Sequence, residues 1–222
     1  MNTSISERIT NIRVLIPSFV RVIAVSKQVP ASSMREAYAA GIRDFAENRL
    51  QEATSKQAEL QDLSDITWHF IGHLQSNKAR KVVEQFDWIH SVDNLQIAQR
   101  LDNLAEQTGK HPLVCLQVKI LPDPNKSGWT VPELLADLPM LNQYKNLQIQ
   151  GLMTIPPLGL DTTEVLNVFH STYRLAREID QQQWSHIEMA HLSMGMSGDY
   201  QLAAQAGATM VRLGKILFGQ RV

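Results

Sequence analysis

The run Val20-Arg-Val-Ile-Ala-Val-Ser-Lys-Gln28 decides between two folds. Its β-branched residues read as a short strand, bounded by Pro30. A doubly wound open sheet carries a glycine-rich phosphate turn directly after its first strand, and Ala24-Val-Ser-Lys-Gln28 has no glycine. A lysine follows the strand instead. In a closed β/α barrel, working residues project from the C-terminal ends of strands, so Lys27 would point into the mouth.

The same alternation recurs along the chain. Residues 32–41 read as a helix ending at Gly41. Strand 42–46 leads to helix 47–61, strand 67–72 to helix 75–86, and strand 87–91 to helix 93–108, closed by Gly109. An apolar strand, 113–120, runs into a loop from Pro122 to Gly128 and a short helix near 131–138. Strand 147–153 precedes helix 162–182, strand 186–192 precedes helix 198–206, and strand 208–213 runs into Gly214. Upstream, Ile5, Ile9, Ile12 and Ile16 recur at helical spacing, and Ser4 with Glu7 reads as a capping box. Eight strands separated by helices imply right-handed crossovers and a parallel sheet. The expectation is a single-domain (β/α)8 TIM-type barrel over residues 1–222, with an extra N-terminal helix over 1–17.

The totals agree. The chain has 222 residues, 44% of them hydrophobic, enough for one substantial core. Net charge is −1 and no basic run stands out, which argues against nucleic acid as a partner. No apolar stretch approaches the ~20 residues of a membrane span, and Glu7, Arg8 and Arg13 interrupt any signal-peptide core. The single cysteine, Cys115, lies in an apolar strand and cannot form an internal disulfide, which suggests a reducing cytosol. No exposed apolar stripe argues against a monomer.

Reading the strand ends in order gives the candidate site. Lys27 comes first; an amine titrates near ~10.4 and attacks an aldehyde well only where its surroundings lower that value. Asn48, in Phe45-Ala-Glu-Asn48, would bond a cofactor oxygen or cap the next helix, and capping is the more ordinary role. His69 and His73 have H-x₃-H spacing, but one sits in a strand and the other beyond its end, too far apart to share a metal. Leu192-Ser-Met-Gly-Met-Ser-Gly198 follows the seventh strand with two hydroxyls and flexible backbone, and Val211-Arg-Leu-Gly-Lys215 closes the eighth. Barrels often bind phosphate with these two loops. Lys27 on one side and a phosphate cradle on the other describe a phosphorylated aldehyde. Pyridoxal 5′-phosphate (PLP) fits, and so does a sugar phosphate in a Schiff-base aldolase.

These motifs resemble the pyridoxal phosphate homeostasis protein family (YggS/PROSC type). The resemblance rests on Ala24-Val-Ser-Lys27, Phe45-Ala-Glu-Asn48, Trp68-His-Phe-Ile-Gly-His-Leu-Gln-Ser-Asn-Lys78, Gly151-Leu-Met-Thr-Ile155, Leu192-Ser-Met-Gly-Met-Ser197 and the ending Gly207 to Gly219. It implies a barrel similar to the N-terminal domain of alanine racemase, with PLP carried on Lys27 as a Schiff base. It implies further that Asn48 lies beside the ring, that Ser193, Met194 and Gly214 hold the phosphate, and that Arg212 faces the pyridine nitrogen. The function implied is cytosolic PLP buffering or delivery to PLP-dependent apoenzymes, affecting amino-acid and keto-acid balance without established turnover.

A two-base racemase needs a second base opposite the lysine. Tyr38, Tyr144, Tyr173 and Tyr200 all fall away from the expected strand ends, which leaves His73 and His191 as candidates. Three departures from the family stand out. Ala46 replaces a usual glycine, which the backbone tolerates if φ is negative; Gln28 and Val29 alter the residues after the lysine; and the loop 121–128 keeps Lys-Ser-Gly without Ser-Gly-Glu.

Overall fold

The computed structural model describes residues 3–219. In chain order the elements are α1 (Ile5–Val14), β1 (Arg21–Val25), α2 (Ala31–Ala39), β2 (Asp44–Glu47), α3 (Leu50–Glu59), β3 (Thr67–Phe70), α4 (Ala79–Gln85), β4 (Trp88–Val92) and α5 (Leu95–Thr108). They continue with β5 (Leu113–Lys119), β6 (Trp129–Thr130), α6 (Val131–Leu141), β7 (Gln148–Met153), α7 (Thr162–Asp180), β8 (Ile187–Ser193), α8 (Tyr200–Gln205), β9 (Met210–Leu213) and α9 (Lys215–Phe218).

Parallel pairing runs β4-β3-β2-β1-β9-β8-β7-β5, and a further β4–β5 pairing joins the two ends. Eight strands therefore close into the expected barrel. Three helices start at reciprocal capping boxes: Ser4 with Glu7 on α1, Thr130 with Glu133 on α6, and Asp161 with Glu164 on α7. Two elements were not expected. The two-residue β6 adds to β5 outside the ring, and the one-turn α9 continues past Gly214. Helix α3 begins at Leu50 instead of residue 47, because Glu47 is still paired in β2 and residues 48 and 49 turn at the mouth.

Strand alternation divides the side chains into two sets. Ile23, Val25, Ala46, Trp88, Cys115, Met153 and Met210 form one compact cluster inside the barrel. The larger cluster, including Phe45, Ile89, Leu116, Phe169 and Leu192, fills the space between barrel and helices. Counting by twos from Ile23 carries the inward face to Lys27, and from Ala46 to Asn48, so both project at the mouth. Among the described residues no helix is long and apolar enough to cross a membrane.

Candidate functional site

One wall of the mouth is built around Lys27. The residue is half-buried, and its amine has no hydrogen-bond partner among the described residues. Both flanking peptides are held from outside the barrel by an ion cluster rooted in α3. Lys56 Nζ donates to the carbonyl oxygen of Ser26 at 2.6 Å, to Glu47 Oε1 at 2.7 Å and to Glu52 Oε1 at 2.6 Å. Glu52 Oε1 also accepts from the amide of Gln28, a non-glycine residue at φ 58°. Ser26 Oγ donates to Glu47 Oε1 at 2.7 Å. Glu47 and Lys56 are buried, and burial pushes the Glu47 carboxyl above its usual range despite the bond from Lys56. Among the described residues only one Glu47 oxygen is satisfied, and Oε2 is buried without a partner. Glu52, partly open to solvent, is held below its usual range by Lys56 and the Gln28 amide, which outweigh its burial.

Asn48 stands beside this wall. The cap position of α3 belongs to Arg49, with no side-chain bond to the helix, so the capping reading of Asn48 does not hold. A side chain at Gly72 would place its Cβ 2.1 Å from the carbonyl oxygen of Asn48, so the β2 and β3 exits touch backbone to backbone there. Ala46 is absent from the positive-φ residues, which explains how it stands in for glycine.

The opposite wall is built around Arg212, 4% exposed. Its Nη1 donates to the Ser193 carbonyl and to Ser193 Oγ, both at 2.6 Å, and Nη2 donates to the Thr154 carbonyl at 3.0 Å. No carboxylate pairs with it among the described residues, and burial brings its pKa down to about 10. Beneath it lie His90, whose Nδ1 is 2.8 Å from Ser193 Oγ, and His69, whose Nδ1 is 2.9 Å from His90 Nε2. The Nε2 of His69 is 3.0 Å from Asp44 Oδ1.

The hydrogen bonds show how the residues expected at the phosphate are placed. The Ser193 hydroxyl is turned inward to Arg212 and His90. Met194 packs in the core and its amide donates to the Met210 carbonyl at 3.1 Å, so the Ser193 hydroxyl and the Met194 amide are both engaged within the chain. The free donors come slightly later in each loop. The amides of Ser197, Gly198 and buried Gly214 have no partner among the described residues, and Ser197 Oγ accepts from the Ile216 amide at 3.3 Å across the two loops. Gly195, at φ 93°, turns the chain within the β8–α8 loop; a Cβ there would lie 2.5 Å from that of Ala203. Asp199 Oδ1 accepts from the Met196 amide, and burial pushes its carboxyl up.

His69 and His73 diverge, the first inside the barrel and the second on the rim with Nδ1 3.3 Å from Asp93 Oδ2. No group of metal-ligating side chains occurs among the described residues. His191 lies edge-on to Trp88, one inward position below Ser193. Lys126 ties the β5–β6 loop to the mouth through the carbonyls of Ile155 and Pro156. A cleft of 740 Å³ lined by Asn48, Glu52, Lys56, His73 and Lys78 flanks the mouth without reaching Lys27 or Arg212. The inward side chains at the strand ends therefore define the site better than this cleft does.

Sequence reasoning missed Glu47, Glu52 and Lys56, although the i,i+4 spacing of Glu52 and Lys56 was a signal. It also missed the inward role of His69 and His90, which strand parity would have revealed.

The class to which this barrel belongs is that of the family model "Alanine racemase, N-terminal domain", which matches residues 3–222. Alanine racemase from Clostridium difficile, 15% identical, shares this fold with a TM-score of 0.76 over 98% of this chain and 56% of its own. Within that class the chain belongs to the pyridoxal phosphate homeostasis protein family. It is 56% identical over 207 residues to the Synechocystis protein of that name, covering 93% of this chain and 94% of the relative. Against the Pseudomonas aeruginosa protein of the same name it is 47% identical over 206 residues, covering 92% and 86%. PipY of Synechococcus elongatus PCC7942, solved with PLP bound, is 53% identical with a TM-score of 0.92 over 97% of this chain and 100% of its own.

Proposed function

We propose that this chain, as one barrel domain, holds PLP on Lys27 and serves vitamin B6 homeostasis by taking up and releasing the cofactor. The observation that carries the reading is the presence at one mouth of a Lys27 amine and a buried Arg212 that, among the described residues, have respectively no hydrogen-bond partner and no paired carboxylate. A buried cation without an anion is costly, and an anionic ligand with an aromatic nitrogen acceptor relieves that cost. The free amides of Ser197, Gly198 and Gly214 suit a phosphate. The residues present therefore fit PLP.

PLP supplies an aldehyde carbon, which joins the lysine nitrogen with loss of one water. Lys27 provides that amine while Lys56 and Glu52 hold the peptides on either side of it. Asn48 offers an uncommitted amide beside the ring. Arg212 presents cationic donors toward the ring nitrogen, which disfavours a proton there and weakens the ring as an electron sink. Ser193 acts through Arg212 and not on the phosphate, Met194 anchors the loop, and Gly214 supplies its amide.

Exchange in place of turnover is supported by the positions of the candidate bases among the described residues. His191 lies below the mouth against Trp88, His73 is an exposed rim residue paired with Asp93, and Tyr38, Tyr173 and Tyr200 lie on helices. A monomer meeting apoenzymes transiently in the cytosol is the setting proposed.

Visible absorption before and after borohydride, with mapping of the reduced lysine, tests the reading. A yellow protein with pyridoxyl fixed on Lys27 is expected. A colourless protein that PLP cannot load would overturn it in favour of an aldolase. Loss of an amino acid's α-hydrogen in deuterated water would point to a racemase.

A further inference from the structure

We propose that Asp44, at the N-terminal rim of the barrel, is a positioning residue for Arg212, acting through a one-way hydrogen-bond chain of Ser193, His90 and His69. The proposal rests on the PLP reading only in taking Arg212 to face the ring.

The direction follows from the two ends. A guanidinium can only donate, and Arg212 Nη1 donates to Ser193 Oγ. The hydroxyl proton of Ser193 then has one acceptor within reach, His90 Nδ1 at 2.8 Å. A His90 that accepts at Nδ1 carries its proton on Nε2, and donates it to His69 Nδ1 at 2.9 Å. His69 in turn donates from Nε2 to Asp44 Oδ1 at 3.0 Å. An ionised carboxylate can only accept, so the far end demands the same direction. Both histidines are therefore neutral Nε2–H tautomers, and reversal would leave the Nε2 lone pair of His69 facing the Asp44 carboxylate, acceptor against acceptor.

The surroundings reinforce this arrangement. His69, His90 and Ser193 are 0% exposed, so every group must be satisfied within the chain. Trp88 stacks on His69 with ring centroids 6.0 Å apart, and Arg21 lies over Trp88 while reaching Asp44 at 3.6 Å. The charged or titratable groups around the imidazoles are Arg21 on β1, Asp44 on β2, Cys115 on β5, His191 on β8 and Arg212 on β9, with Asp87 just before β4. Burial pushes both imidazoles down, and His90 further because His69 and Arg212 lie beside it. Asp44 thus helps balance the charge of Arg212 from a distance; among the described residues no carboxylate is hydrogen-bonded to the guanidinium, and Asp199 in the β8–α8 loop acts on it only through space.

Histidine side-chain ¹⁵N spectra of the full-length protein, loaded with PLP and free of it, test the chain directly. Both His69 and His90 should report Nε2–H tautomers from pH 6 to 8. An Nδ1–H or doubly protonated ring on either residue would overturn the proposal. Asp44→Ala should move the His90 resonances, two bonds away, and speed PLP loss roughly threefold or more. Asp65→Asn, on the same rim but paired with Arg43, should leave both unchanged. Combining Asp44→Ala with Ser193→Ala should release PLP no faster than Ser193→Ala alone; additive effects would sink the idea. The tautomers can be read whether or not PLP loads on Lys27, so the two readings fail separately.

Discussion

The two walls of the mouth are held by opposite means. Behind Lys27 stands a cluster of ions outside the barrel, and its members grip main-chain atoms on either side of the lysine without touching the amine. Behind Arg212 runs a file of neutral groups inside the barrel, gripping the guanidinium itself. The difference follows from what each side chain must present. An attacking amine has to give up its proton, so a carboxylate placed against it would work against the chemistry. An arginine facing a ring nitrogen has to stay cationic and aimed, so its carboxylate is best kept at the far end of a polarised chain.

The largest effect should come from removing the lysine. Lys27→Ala should abolish all borohydride-fixed pyridoxyl while leaving some affinity through the Arg212 wall. Full labelling of that variant, mapped by mass spectrometry, would move the attachment to Lys78 or Lys215. Next is the ionic clamp. Lys56→Ala strands the buried Glu47 carboxylate and should cost about 3–5 kcal/mol in urea unfolding, with slower PLP capture by the surviving fold. An unchanged midpoint would mean that the clamp is dispensable. Arg212→Ala should speed PLP release about tenfold or more and shift the absorbance maximum. Unaltered values for both would show that Arg212 does not meet the ring.

The smallest effect, and the one that best separates the walls, is in pH dependence. Imidazoles held below the usual 6.5 are neutral in both states above that pH, so the stability linked to them is complete there. As pH falls below 6.5 the unfolded chain takes up protons first, and stability drops by up to about 1.4 kcal/mol per pH unit for each histidine. Glu47, raised above 4.5, has the opposite sign: its contribution is complete at low pH and is lost as pH rises through the folded value. Urea unfolding from pH 5 to 8 should therefore show a shallower acid slope for His90→Gln than for the parent chain. In Glu47→Gln the acid slope should steepen. Equal slopes in all three proteins would erase the distinction.

The barrel was legible because parallel strands buried on both faces write themselves as β-branched runs, and helix ends carry their own chemistry, as Ser4 with Glu7 does. Lys27 was legible because position after the first strand is enough to aim it. The free amides proposed for the phosphate were harder. Ser193 and Ser197 read alike as loop serines, and only strand parity separates the inward hydroxyl from the one bridging two loops. Asn48 looked like a helix cap because its residue type favours one; where the strand ended decided otherwise. The chain from Asp44 to Arg212 joins residues from five strands, and no local pattern records such a meeting.

Cys115 lies inside the barrel, and burial raises its thiol to about 12. Thiolates compete with amines for aldehydes, and this chain's single cysteine is both walled in and held protonated. Chemoselectivity at the mouth thus comes from the fold's interior: an arriving aldehyde finds nitrogen nucleophiles and no sulfur, and every adduct it forms can be undone by water.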